Sequence, residues 1–115
     1  MTSRIASLAI DARDPARVAD FWCQVLGWVV HDRDADGFVT IAPAGARPGA
    51  GDPTIDVAPV PEPKTIKNRM HFDVLGDSAA LMTAGARPVR MRDEEIEWDV
   101  LADPEGNEFC VFAPE

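Results

Sequence analysis

The 115-residue chain predicts an α+β fold in which one strand–helix–strands unit is used twice. Three observations carry this reading. An amphipathic helix begins at Asp14-Pro15, a second capped helix begins at Asp77, and alternating strands precede and follow each of them. A proline-rich stretch around Pro59, Pro61 and Pro63 lies between the two halves.

The elements follow in chain order. Leu8 and Ile10 alternate with Ser7, Ala9 and Asp11, the period of a half-buried strand. Asp14 is an N-cap acid and Pro15 the residue best tolerated at the first helical position. Val18, Phe21, Trp22, Val25 and Leu26 then form one apolar stripe, with Gly27 as C-cap. Trp22 and Trp28 read as core. Trp28 to Val30 and Phe38 to Ala42 flank the turn signal Asp36-Gly37 and predict a hairpin. Pro43 to Pro53 reads as a loop and Thr54 to Ala58 as a strand.

Because proline cannot donate to a ladder, Pro59 is expected outside any central strand, which makes residues 59–66 a linker between modules 1–58 and 67–115 of a single domain. In the second module Met70 to Leu75 predicts a strand, and Asp77 caps a helix that carries Leu81 and ends near Gly85. Val89 to Met91, Glu97 to Leu101 and Glu108 to Phe112 predict further strands. The turn Asp103-Pro104-Glu105-Gly106-Asn107 joins the last two, with positive φ expected at Gly106.

Composition excludes several function classes. Twenty acidic against eleven basic residues give a formal charge of −9, which repels nucleic acid; the same field would favour cationic ligands, but a solvated acidic surface that keeps the chain in solution is the preferred reading. No apolar run approaches the roughly 20 residues of a membrane span. The apolar stretch near the start is interrupted by Asp11, Arg13 and Asp14, so a cytoplasmic location is expected. Cys23 and Cys110 have neither disulfide-framework nor metal-knuckle spacing and read as thiols. No phosphate-binding glycine loop or serine nucleophile elbow occurs.

Alternation sorts the strand residues into two faces. If Leu8, Ile10, Ile55, Val57, Phe72, Val74, Phe109 and Val111 face the helices, then Ser7, Ala9, Asp11, Thr54, Asp56, His71, Asp73, Glu108, Cys110 and Phe112 face the other side. That second set is polar, as a ligand cleft requires, and a solvated sheet face is the plain alternative.

Three segments together resemble a glyoxalase-like family of the vicinal oxygen chelate superfamily. They are Asp14-Pro15 through Phe21-Trp22 to Leu26-Gly27-Trp28, Lys67 to Val74 with His71, and Asp103-Pro104-Glu105-Gly106-Asn107 through Val111. The resemblance implies paired βαβββ modules curling into a half-open barrel, with a helix on each convex face and a cleft between modules. In metal-dependent relatives the first and last strands of each module supply ligands, which by position implies Ser7, Asp56 (or Ala58), His71 and Cys110. Serine and cysteine depart from the histidine, glutamate or glutamine usual there. A conventional hard-ion site is therefore not expected. If a divalent metal binds, its ligands are Asp56, His71 and Cys110, a set zinc accepts.

The resemblance and the polar face lead to a small-molecule-binding protein without metal cofactor, and the short sheets predict a homodimer covering Phe38, Trp28 and Val30. The alternative is a lyase, isomerase or dioxygenase-type enzyme in which His71 is acid/base or ligand and Asp56 or Glu108 its partner. A pure interaction module with a filled pocket is the third reading. Asp73 would orient His71, and Ser7, Cys110 and Arg69 would contact ligand. Trp98 and Phe112, with Met70, would form an aromatic wall. His31 is expected at a sheet edge, away from any ligand, and Asp93-Glu94-Glu95 at a charged hairpin tip.

Overall fold

The computed structural model describes Thr2 and residues 4–114. The chain divides into two compact units, one ending at Pro63 and the other beginning at Lys64. Each has the predicted βαβββ order.

The first unit comprises β1 (Leu8–Ala12), α1 (Pro15–Leu26), β2 (Val29–Arg33), β3 (Val39–Ala42) and β4 (Ile55–Pro59). Its sheet runs β1-β4-β3-β2, with β1 and β4 parallel and the remaining pairs antiparallel. Helix α1 starts where the Asp14 carboxylate accepts a hydrogen bond from the Arg17 N–H at 3.2 Å, and it ends at Gly27 in the left-handed region, φ 67°. Its stripe buries Val18, Ala19, Phe21 and Trp22, and the Phe21 and Trp22 rings meet edge to face at 5.1 Å. Ile41, Ile55 and Val57 complete this core from the sheet. Leu8, at the open end of β1, stays 43% exposed in spite of its inward phase.

Asp34 organises the β2–β3 turn. Its carboxylate accepts from the N–H groups of Asp36 and Phe38, and Gly37 takes φ 97°. Pro59 corrects the linker expectation, for it ends β4, a central strand, opposite Ala12 of β1. It is tolerated because β3 pairs with β4 only as far as Val57, so no ladder bond from β3 requires its missing N–H.

The second unit comprises β5 (Asp73–Leu75), α2 (Ser78–Ala84), β6 (Arg87–Arg90), β7 (Asp99–Ala102) and β8 (Glu108–Phe112). Its sheet runs β5-β8-β7-β6 with the same pattern of directions. Asp77 caps α2 through the Ala79 N–H, and Leu81 is its buried apolar residue. Asp103, fully buried, builds the last turn by accepting from the N–H groups of Glu105 and Asn107 and from the Asn107 amide, and Gly106 takes φ 90° as expected.

Several strand bounds differ from the sequence expectation, β2 running on to Arg33, β6 beginning at Arg87 and β7 at Asp99, and two of the differences have a visible cause. The run from Met70 yields only Asp73–Leu75, because the incoming segment is tied to β8 by a side chain: the Asn68 N–H donates to the Glu108 carboxylate at 2.9 Å. His71 therefore precedes the strand. Strand β6 ends at Arg90 and not at Met91, since the Arg92 N–H turns to the Asp99 carboxylate at 2.7 Å. Among the described residues no helix is long and apolar enough to cross a membrane.

Candidate functional site

In the first unit the alternation of β3 and β4 places Thr40 opposite Asp56 on the face away from α1. The Asp56 carboxylate accepts from the Thr40 hydroxyl at 2.7 Å and from the Ser7 hydroxyl at 3.0 Å. Two neutral donors thus hold a half-buried carboxylate in a fixed orientation. The three residues line a cavity of about 680 Å³, bordered also by Trp28, His31, Asp32 and the 48–53 loop. That size suits a drug-sized organic molecule.

Thr40 was not singled out from the sequence, although the signal was present: Val39 and Ile41 face the core, so Thr40 must share the face of Asp56. Two expectations are corrected. His31 is exposed on an edge strand, as expected, yet it borders the cavity. Trp28 is half-buried and forms cavity wall instead of core.

In the second unit His71, Asp73 and Cys110 come together. Each offers one ligand atom, and all three atoms lie within 4.8 Å of one another. His71 Nδ1 stands 3.3 Å from an Asp73 oxygen, and β5 pairs Asp73 with Cys110 across the parallel ladder. Burial, reinforced by the Asp73 charge and opposed by Lys67, pushes the Cys110 thiol up. At neutral pH it is a thiol, and a metal would have to displace its proton. Nitrogen, oxygen and sulfur donors at this spacing fit a borderline ion such as zinc better than a hard ion such as manganese.

Glu108 is engaged elsewhere. It accepts from Lys64 Nζ at 2.7 Å as well as from Asn68, and although burial alone would raise its pKa, these donors outweigh that and hold it below the usual carboxylate value. It is a clamp on the segment entering the unit. Trp98 and Phe112 stack with centroids 5.8 Å apart, whereas Met70 is 83% exposed and adds nothing to that wall. Arg69 is exposed.

A polar cluster escaped sequence reasoning altogether. Asp99, 3% exposed, accepts from the Ser78 hydroxyl at 2.5 Å and from the Arg92 guanidinium at 3.0 Å. Arg92 above all, with help from Ser78 and against burial, holds this carboxyl well below the usual range. The signal was its phase, two residues before Leu101 on the core-facing side of β7. Its role is structural, joining α2, β7 and the chain after β6.

Comparison with known proteins agrees with this architecture. A glyoxalase/bleomycin resistance protein/dioxygenase family enzyme from Burkholderia phytofirmans PsJN matches over 94% of this chain and 96% of its own, at 22% identity and TM-score 0.65. An antibiotic binding protein from Streptomyces sp. CB03234 matches over 99% and 98%, at 17% identity and TM-score 0.61. A fosfomycin resistance protein from Listeria monocytogenes, solved with Mn(II) and a dihydroxypropylphosphonic acid, matches over 100% and 93%, at 11% identity and TM-score 0.71. At these identities the likeness is one of fold. No curated protein matches in sequence. The family model of the glyoxalase-like domain covers residues 7–112, and the chain accordingly belongs to the glyoxalase-like domain family of the vicinal oxygen chelate superfamily.

Proposed function

We propose that this glyoxalase-like protein binds a small organic molecule in the cavity of its first unit, without a conventional metal centre. The observation that carries the reading is the floor of that cavity, where Ser7 and Thr40 hold the Asp56 carboxylate toward open space. A carboxylate oriented by two hydroxyls beside Trp28 offers both direction and apolar contact. The antibiotic binding protein of the same fold supports a binding role. Ser7 accounts for much of the departure from a hard-ion site, since its hydroxyl serves Asp56.

The test is a nuclear magnetic resonance screen of aromatic fragments against the whole protein. The signals of Ser7, Trp28, Thr40 and Asp56 are expected to shift as a group, and Thr40→Trp, which fills the space, to abolish the shifts. Fragment shifts confined to other residues would overturn the reading.

A second reading, an enzyme of lyase, isomerase or dioxygenase type, is favoured by one observation, the His71, Asp73 and Cys110 trio. A bound zinc ion would supply Lewis acidity there. With zinc bound, His71 and Asp73 would serve as its ligands; in the metal-free form the same pair would hold or move a proton, the carboxylate fixing the imidazole. About one zinc per chain in purified protein, lost in Cys110→Ala, would favour this reading over the metal-free one.

The homodimer belongs to the same proposal. Val29 and Phe38 in the first unit are 45% and 41% exposed, and Leu75 and Val89 on edge strands of the second are 62% and 56% exposed. Edges and apolar groups of this kind are what a second copy covers. Sedimentation as a monomer at concentrations on the order of tens of micromolar would exclude it.

A further inference from the structure

We infer that the first-unit cavity takes a flat organic cation, selected by His31 and Asp32, which a β-bulge brings onto one face of β2; this rests on the binding reading above. In a regular antiparallel pair consecutive side chains face opposite sides of the sheet. Strand β2 departs from that rule. Val30 pairs with Ile41 and Asp32 pairs with Thr40, so two residues of β2 oppose one of β3 and His31 is the extra one.

The register fixes the faces. Val30 lies opposite the buried Ile41 on the helix side, whereas Asp32 lies opposite Thr40 on the Asp56 side. The bulged residue joins Asp32, and both border the cavity, which an unbroken strand would not allow. An imidazole and a carboxylate thus stand side by side at its rim.

The chemistry follows from what is already engaged. Three carboxylates, Asp32, Asp52 and Asp56, border the cavity against one guanidinium, Arg4. Asp56 accepts from two hydroxyls and Asp52 from the Arg47 N–H at 2.7 Å. Among the described residues the side chains of Asp32 and His31 make no hydrogen bond or ion pair. Asp32 is the carboxylate left to meet a cation, and a ring nitrogen of His31 can accept from its N–H donors. Trp28 lines the same cavity and brings an aromatic ring to which a flat cation is attracted.

The second unit separates architecture from recognition. Strand β6 carries the equivalent bulge, with Val89 as its extra residue between Pro88 and Arg90. There Arg90 is paired with Asp93 and Glu95. The bulge belongs to both units, and its acceptor pair only to the first.

Two flat probes of three linearly fused rings, similar in shape and opposite in charge, test the inference on the whole protein: proflavine, a diaminoacridine, and anthracene-9-carboxylate. Proflavine is expected to bind about tenfold or more tightly than the carboxylate and to shift the signals of Trp28, His31 and Thr40. Asp32→Asn should weaken proflavine about fivefold or more and His31→Ala about threefold or more, while Val89→Ala leaves it unchanged. All three positions are exposed, and unchanged thermal midpoints verify folding of the variants. If the carboxylate moves those signals and binds as tightly as proflavine, or if Asp32→Asn is silent, cation selection is overturned and the binding reading stands. If neither probe moves them, the binding reading falls and the inference with it.

Discussion

The two units pair their strands in the same register and place opposite chemistry on it. In the first, Val39 pairs with Val57 toward the helix and Thr40 with Asp56 on the far face. In the second, Asp99 pairs with Val111 toward the helix and Val100 with Cys110 on the far face. A carboxylate and a valine have in effect changed places. The first unit keeps an apolar core and an organised polar surface, as a binding site requires. The second takes its carboxylate into the helix side, where Arg92 and Ser78 must compensate it, and leaves a thiol outside.

Helix size accounts for the difference. Helix α1 has twelve residues and buries Phe21 and Trp22, enough apolar surface to close its side of the sheet. Helix α2 has seven residues and buries Leu81, with Ser78 beside it. Truncating the larger anchor should therefore cost most: Trp22→Ala about 3–5 kcal/mol against about 2–3 kcal/mol for Leu81→Ala, by denaturant titration with hydrogen exchange assigning the loss to each unit. A larger loss from Leu81→Ala would reverse the comparison.

Asp99→Ala is next, at about 2–3 kcal/mol, because it leaves the Ser78 hydroxyl buried without its acceptor. Replacing the pair with the first unit's solution, Ser78→Ala with Asp99→Val, should recover most of that loss, since Arg92 is 43% exposed and can be hydrated. The pH dependence carries a definite sign. A carboxyl lowered by folding stabilises above its unfolded pKa, about 4, and this contribution is lost as pH falls from there toward the folded value. Asp99→Asn should flatten the stability profile below about pH 4. An unchanged acid limb would show that Arg92 does not hold this carboxylate in solution.

Gly106→Ala should cost about 1 kcal/mol, read as a shift in thermal midpoint. The added Cβ meets only ordinary contact with Arg87 at 3.7 Å, so the cost is that of φ 90° in a residue with a side chain. A loss below about 0.5 kcal/mol would mean that the turn relaxes readily.

These particulars mark how far the sequence reaches. The caps Asp14 and Asp77, the stripe of α1 and the Asp103–Asn107 turn were legible because each depends on neighbours within a few residues. The bulges at His31 and Val89 were not, for a bulge is a relation between two strands and leaves no mark in the period of one. For the same reason His31 was read as remote from the cavity. The short β5 and the clamp of Lys64 and Asn68 on Glu108 depend on contacts across some forty positions. Of the candidate site, alternation places Ser7 and Asp56 on one face and His71, Asp73 and Cys110 on another stretch of the same kind, and the position of Thr40 between Val39 and Ile41 puts it with the first group by the same rule; only its bond to Asp56, sixteen positions away, leaves no mark in the sequence.

Thr40→Val is the smallest expected change and the one that addresses the comparison most directly, because it gives the first unit the residue that the second has at Val100. It removes one hydroxyl donor at 2.7 Å from Asp56 and keeps a β-branched side chain of the same shape in the strand. Asp56 is only half-buried and retains Ser7, so water can replace the lost donor. The expected cost is about 0.5–1 kcal/mol in urea titration, below the roughly 1.5–3 kcal/mol of a hydrogen bond to a charged group because water replaces the donor. Proflavine affinity should change by less than about threefold, since the charge of Asp56 remains and the acceptors at Asp32 and His31 are untouched. A stability loss above about 2 kcal/mol would mean that the Ser7, Asp56 and Thr40 network holds the first unit together, as Asp99 does the second, and the division between a binding face and a structural carboxylate would not hold.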